Sequence, residues 1–199
     1  VDIDEVHKVS ESRDLLSREL AHRIKNIFAV VVGLVSLESR RHPEHREFAE
    51  QLMDTLRALS RAHEFVQPQG GDTRGSLQGL LDVLFAPYSH GGHGSVHVSG
   101  AEAPIATRAA TPIALVFHEL ATNSAKYGAL SAEGGTVTLD VEDAGEDLRL
   151  LWRERGGPAL GDDLVQEKGE DSGFGSRLVE MSVTGQLGGS WVRRFEPEG

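Results

Sequence analysis

His22 is the side chain whose placement first suggests chemistry. Leu20, Ile24, Ile27, Val31 and Leu34 recur at spacings of four, three, four and three, which is a coiled-coil-like apolar seam on a helix. With about 100° of turn per residue, His22 lies about 160° from the centre of that seam. Its imidazole therefore faces water, where it can act as a nucleophile or proton carrier. A single solvated histidine on a helix needs no chemistry to account for it, so the weight falls on three segments far downstream.

The first is Phe117-His-Glu-Leu-Ala-Thr-Asn-Ser-Ala-Lys-Tyr-Gly128. Glu119, Asn123 and Lys126 are spaced by four and three and project from one helical face, with His118 and Tyr127 flanking. An Asn oxygen is a hard ligand suited to Mg2+, a Lys ammonium neutralises phosphate, and a Tyr ring can lie beside a nucleobase. A solvated amphipathic helix with Leu115, Val116 and Leu120 turned inward has the same pattern. His118-Glu119 is not followed by a second His four residues on, so the zinc-protease arrangement is excluded.

The second is Trp152-Arg-Glu-Arg-Gly-Gly-Pro158, in which a strand runs into a glycine turn. A carboxylate at such a strand end can accept an adenine amine, and glycine lets backbone approach a base. Trp152 fits a core position better than a ligand contact. The third, Gly173-Phe-Gly-Ser-Arg-Leu178, opens a helix whose first amides would suit phosphate. It is not a Walker loop, because no Gly-Lys-Ser/Thr follows. The Gly- and acid-rich residues between Pro158 and Ser172 are expected to form a lid. His90, His93 and His97 straddle a glycine turn without a nearby acidic partner, a poor metal set.

Together, Leu20-Ala-His-Arg-Ile-Lys-Asn26 is similar to the phosphoacceptor motif of a sensor histidine kinase, and the three later segments resemble the N, G1 and G2 boxes of the HWE histidine kinase family. That family is named for a histidine in the N box and a Trp-x-Glu in the G1 box, here His118 and Trp152-x-Glu154. The resemblance covers almost the whole chain. It implies ATP and Mg2+ as cofactors, with His22 accepting the γ-phosphoryl group and Asn123 as the metal ligand. Glu119 would polarise the acceptor, as the favoured catalytic partner of His22, or hold a metal-bound water. Lys126, Tyr127, Glu154, Gly156, Gly173, Gly175, Ser176 and Leu178 would bind nucleotide. A response-regulator receiver domain would take the phosphoryl group onto an aspartate.

Three positions depart from the pattern of other histidine kinases: Glu119 stands where Asn is frequent, Glu154 where Asp is usual, and Arg23 where an acidic residue often follows the phosphohistidine. A non-kinase ATPase or protein serine kinase of the same superfamily would keep Asn123 and Gly173-x-Gly175 without needing His22. An inactive nucleotide-binding scaffold would not need Glu119, Asn123 and Lys126 together.

The formal net charge is −11, split as −2 over residues 1–66 and −9 over residues 67–199. This opposes binding to nucleic acid and anionic membranes, and a strongly acidic half that binds a polyanion requires a metal. The absence of cysteine points to a reducing, cytoplasmic setting. No apolar run is expected to approach the length of a membrane span, and the first residue, Val1 rather than Met, suggests a preceding segment such as a sensor.

The elements that must position these groups form an α+β chain: a helical dimerisation and phosphotransfer hairpin over 1–67, then a catalytic ATP-binding domain over 73–199. Helices are predicted over Ile3 to Arg41 and Glu44 to Val66, broken by Pro43. Phe48, Leu52, Leu56, Leu59, His63 and Val66 line one face of the second. The apolar stripes exceed what one hairpin can cover, so a second copy would complete a four-helix bundle as a homodimer. After a Gly-rich linker, helices are predicted over 77–85, 109–127 and 175–185, and strands over 95–99, 136–141, 148–152 and 190–195. The resemblance implies that this half is a Bergerat-type α/β sandwich. It also implies one more strand beyond Phe195, without which a sheet edge would be open.

Overall fold

The computed structural model describes residues 3–66, 75–89, 94–158 and 174–194. Helix α1 (Ile3–Arg41) turns through a 3-10 segment at Pro43–His45 into α2 (Arg46–Phe65). Pro43 sits at the start of that turn, where its missing N–H leaves nothing unpaired. A hairpin was expected, but the line of α1 turned inward is not the predicted seam. Ala21, Ile24, Phe28, Val32, Val35 and Ser39 are half-buried, whereas Leu20, Ile27, Val30, Leu34 and Leu37 are exposed. The helix is apolar over more than half its circumference between Ile27 and Val35, so one partner helix cannot cover it.

That same breadth makes Glu19–Arg41 long and apolar enough to cross a membrane, with a mean hydropathy of 1.5. This corrects the expectation that no stretch reaches that length. Arg23 and Lys25 fall inside it and are paired with Glu19 at 2.6 Å and Glu64 at 2.9 Å. In hydrocarbon both charges would be costly, so an amphipathic hairpin accounts for the stretch better than a span.

Strand β1 (Gly75–Ser76) pairs antiparallel with β3 (Pro104–Ile105), and between them run α3 (Leu77–Ser89) and β2 (Ser95–Gly100). Helix α3 extends beyond its predicted end at Phe85, because Pro87 falls in its last turn and interrupts little of the ladder. Helix α4 (Thr107–Tyr127) then crosses back so that β4 (Thr136–Asp143) lies parallel to β2, and β5 (Leu148–Arg155) returns antiparallel to β4. Gly145, at φ +88°, makes that return. The Asp143 carboxylate accepts its N–H at 2.8 Å. Val137, Leu139 and Val141 of β4 face the core and alternate with Thr136, Thr138 and Asp140 outside, the period-two signature of a sheet covered on one face.

Helix α5 (Phe174–Glu180) was expected to run to Gly185, but it widens into a π-helical turn at Met181–Gln186. There the Thr184 hydroxyl donates to the Glu180 carbonyl at 2.7 Å, taking the acceptor that a regular α-helical amide would use. Residues 190–194 do not form the predicted strand. The glycines at 188 and 189 raise the entropy of ordering the segment. Burial offsets little of it, since Val192 is 77% exposed. Among the described residues the main sheet is therefore β2-β4-β5, with the outer edge of β5 unpaired.

One core joins hairpin and sheet. Ala58, Ala62 and Val66 of α2 are buried in the same cluster as Leu77, Leu80, Leu81 and Leu84 of α3, Ala110, Ala114, Phe117 and Ala121 of α4, and Leu139 of β4. Small residues on α2 let α4 approach closely. Val66, on the predicted apolar face of α2, is thus covered by the chain's own α3 and α4 region. Enlarging Ala62, which is 0% exposed, by Ala62→Leu should destabilise the fold by about 1–3 kcal/mol. Because the core is shared, urea unfolding followed by helical circular dichroism and by tryptophan fluorescence should shift together. A shift in the helical signal alone would show that the hairpin unfolds independently.

Candidate functional site

Helix α4 presents different faces to different neighbours. Leu115, Val116 and Phe117 are buried, Asn123 is half-buried, and Lys126 and Tyr127 are exposed. His118 does not flank an open cleft: it is only 8% exposed and faces α2. Burial holds its pKa below the usual imidazole value, Arg61 lowers it further, and Asp54 partly offsets the drop. Glu119 is half-buried, and desolvation raises its pKa above the usual carboxylate range against the opposing effects of Thr55 and Lys126. The Thr55 proton has two acceptors to choose from, the Gln51 carbonyl at 3.0 Å and the Glu119 carboxylate.

The start of α5 closes on the other side of Glu119. A Cβ placed on Gly175 would lie 2.4 Å from Glu119 Oε2, so glycine lets the third motif pack directly against the first. Ser176 and Leu178 are half-buried beside it. Gly173, the lid over 159–172, and His90 and His93 lie outside the described residues. His97 is exposed, with Nε2 3.1 Å from the Ser95 hydroxyl.

Glu154, at the end of β5, is the most heavily bonded side chain of the site. Its Oε2 accepts from Ser124 Oγ at 2.7 Å and from the Ala129 amide at 2.9 Å, and its Oε1 accepts from Trp152 Nε1 at 2.9 Å. Trp152 packs against Phe85 and Phe117, with ring centroids at 5.8 and 6.2 Å, which is a core placement. Gly156 follows with φ +71°, a left-handed conformation that favours glycine. Ser124 was overlooked in the sequence. Its signal was a hydroxyl directly after Asn123 and one turn before Gly128, yet nothing local distinguishes it from a helix-surface serine.

His22 is exposed on α1. Glu19, one turn earlier, is occupied by Arg23 at 2.6 Å, and Lys25 reaches across to Glu64 of α2 at 2.9 Å. Thr55, beside Glu119, lies nine residues before Glu64, on the order of 13 Å along the helix axis. In this conformation the structure brings Glu119 together with Gly175 but not with His22. Among the described residues, no three His, Cys, Asp or Glu side chains gather into a metal cluster. A Mg2+ held by one amide oxygen and substrate phosphates needs no such cluster.

The Glu119 shift has a stability consequence. A carboxyl with a raised folded-state pKa contributes stability that is present below the unfolded pKa and lost as pH rises through the folded value. Glu119→Gln should therefore raise the melting temperature at pH 7. The gain should fade on acidification and vanish below about pH 4, where the carboxyl is protonated in both states. A variant no more stable than wild type at pH 7 would contradict this reading of the α2–α4 contact.

Comparison with known proteins points to histidine kinases. The family model for HWE histidine kinases matches residues 19–102. The chain is 34% identical over 200 residues to blue-light-activated histidine kinase 1 of Erythrobacter litoralis, covering 100% of this chain and 54% of that protein. It is 32% identical over 203 residues to the blue-light-activated histidine kinase of Brucella anthropi, covering 100% of this chain and 40% of that protein. It thus spans about half or less of these relatives. A solved histidine kinase domain from an Erythrobacter litoralis blue-light activated histidine kinase has the same fold at a TM-score of 0.52, with 20% identity over 89% of this chain and 84% of that one. The match runs from the helix that carries His22 through β2, His118 and Trp152-x-Glu154 lie beyond it, and together with these relatives it supports an HWE-family histidine kinase.

Proposed function

We propose that this chain is the kinase core of a sensor histidine kinase: it phosphorylates His22 from ATP and passes the phosphoryl group to an aspartate on a response-regulator receiver domain. One observation carries the reading. A helical face bearing Glu119, Asn123 and Lys126 is packed at Gly175 against the third motif, in a chain that also exposes a histidine on a separate helix.

The donor set fits a magnesium nucleotide. Asn123 supplies a neutral hard oxygen, and Lys126 supplies an exposed cation one turn further along the same face. Gly175 leaves room beside Glu119 that a side chain would fill. Mg2+, when bound, would neutralise charge on the phosphates. Asn123 would hold the metal, Lys126 would lie against the phosphate oxygens, and Tyr127, 63% exposed, would offer its ring to the base.

A ring nitrogen of His22 attacks the γ-phosphorus in line: the new N–P bond forms as the bond to the bridging oxygen breaks, and ADP leaves with that oxygen. The second ring nitrogen then surrenders its proton, for which Glu119 is the favoured acceptor. Because Glu119 is engaged with Thr55 and lies about 13 Å along α2 from the level of Lys25, the nucleotide-binding half must move along the hairpin before transfer.

The open stripe of α1, including Leu20, Ile27, Val30, Leu34 and Leu37, supports a homodimer through the hairpin. Leaving it wet forfeits roughly 25 cal/mol per Å2 of apolar surface, and a two-fold contact between copies removes the loss while keeping His22 outside. Light scattering at micromolar concentration should give twice the chain mass; a stable monomer would show that something else covers the stripe.

With labelled ATP and Mg2+, wild type should acquire an acid-labile, base-stable phosphoryl group that His22→Gln lacks. Asn123→Ala should form it about a hundredfold more slowly or worse with its helical content unchanged. Label retained in His22→Gln, or wild-type rates in Asn123→Ala, would refute the respective assignment.

A further inference from the structure

We propose that Glu154 is a positioning residue, tying the end of β5 to the end of α4, and that it does not read the nucleobase. The inference rests on the ATP-site reading above but makes a separate claim about it. A carboxylate offers about four acceptor directions. Oε2 has two of its directions filled, by Ser124 Oγ and the Ala129 amide, and Oε1 has one filled by the Trp152 indole.

None of the three donors is free to turn elsewhere. Ser124 is 1% exposed and its own oxygen accepts the Leu130 amide at 3.2 Å. The Trp152 ring is wedged against Phe85 and Phe117, which fixes the direction of its N–H. Ala129 is 0% exposed, at the start of the short turn after α4.

The backbone is built around this carboxylate. A Cβ on Gly128 would lie 2.1 Å from Glu154 Oε2, and one on Gly157 would lie 3.0 Å from the Ala129 nitrogen. Two glycines thus let the α4 terminus and the turn after β5 close on a group that satisfies them from inside. The helix end so fixed is the one that carries Asn123 and Lys126. Glu154 acts on nucleotide binding through those residues, as a buried network that sets their position.

Glutamine at 154 retains one oxygen and adds an N–H2 group. Facing three donors, it must set its N–H2 against either the indole N–H or the Ser124 and Ala129 pair, leaving a buried donor unmet. With Phe at 152 the indole N–H is gone. Glutamine can then turn its oxygen to Ser124 and Ala129 and its N–H2 to the vacated side.

The test compares wild type, Glu154→Gln, Trp152→Phe and the double variant, measuring calorimetric binding of MgATP and of magnesium inosine triphosphate, which carries a carbonyl where adenine has its amine. Glu154→Gln should weaken both nucleotides by the same factor, about tenfold. Its effect should shrink in the Trp152→Phe background, a coupling that a base contact would not produce. The inference is overturned if Glu154→Gln weakens MgATP while sparing the inosine nucleotide, or if its effect is undiminished in the double variant. If Trp152→Phe fails to fold, the ratio of the two affinities in Glu154→Gln alone decides. If wild type binds neither nucleotide, the ATP-site reading fails instead, and the same loss and recovery in urea midpoints then decides the bracing role.

Discussion

The packing of α2 against α4 is the contact on which the arrangement of this molecule depends. Alanines at 58 and 62 remove the bulk that would keep the helices apart, and the polar residues of the α4 motif, His118 and Glu119, are brought against Thr55, Arg61 and Asp54 of α2. The hairpin that carries His22 and the half that would carry nucleotide are therefore not beads on a linker in this conformation. They share a core. The proposed transfer to His22 would have to give up part of it, because Glu119 faces α2 away from the level of His22.

Within the sheet-bearing half, rigidity comes from a few polar knots in an otherwise aliphatic interior. Glu154 gathers Trp152, Ser124 and Ala129, joining the last strand of the sheet to the crossover helix. Its donors come from three directions, so it fixes orientation as well as distance. On the hairpin the ion pairs are exposed, as with Arg23 and Glu19 or Lys25 and Glu64. Such pairs contribute little stability, and their effect is to hold the surface around His22 in register without tying it to the core.

What could be read in the sequence was what repeats. The turn at Pro43 and the extent of α1, the alternation in β4 and the turn at Gly145 follow from local rules, and the structure reproduces them. The motif residues stood out by type and spacing. Which line of α1 meets α2 is not legible, because in a segment as apolar as Ile27–Val35 periodicity does not say which stripe is used. The strand predicted over 190–195 looked like others by composition, but two glycines precede it and little of it is buried. The contact of Glu119 with Gly175, and the three donors of Glu154, join residues 56 and as many as 30 positions apart. Such contacts are properties of the fold, and no local pattern announces them.

The protonation preferences at the α2–α4 contact bear on how the two halves can part. Burial drives His118 and Glu119 in opposite directions on the pH scale, yet both shifts favour the uncharged form. Each group has therefore lost hydration that it would regain on leaving the contact. The apolar surface around Ala58 and Ala62 opposes separation, while rehydration of Glu119 and His118 favours it. Two opposing terms of this kind leave a contact that is held and yet separable, unlike one built of leucines alone. For Glu119 the balance depends on pH: its carboxyl ionises more readily when exposed than within the contact, so separation becomes easier as pH rises towards its raised pKa. The same linkage makes His118 favour separation as pH falls, so each group loosens the contact on the side of the pH scale where the other is neutral in both states, and the two penalties overlap between their titrations.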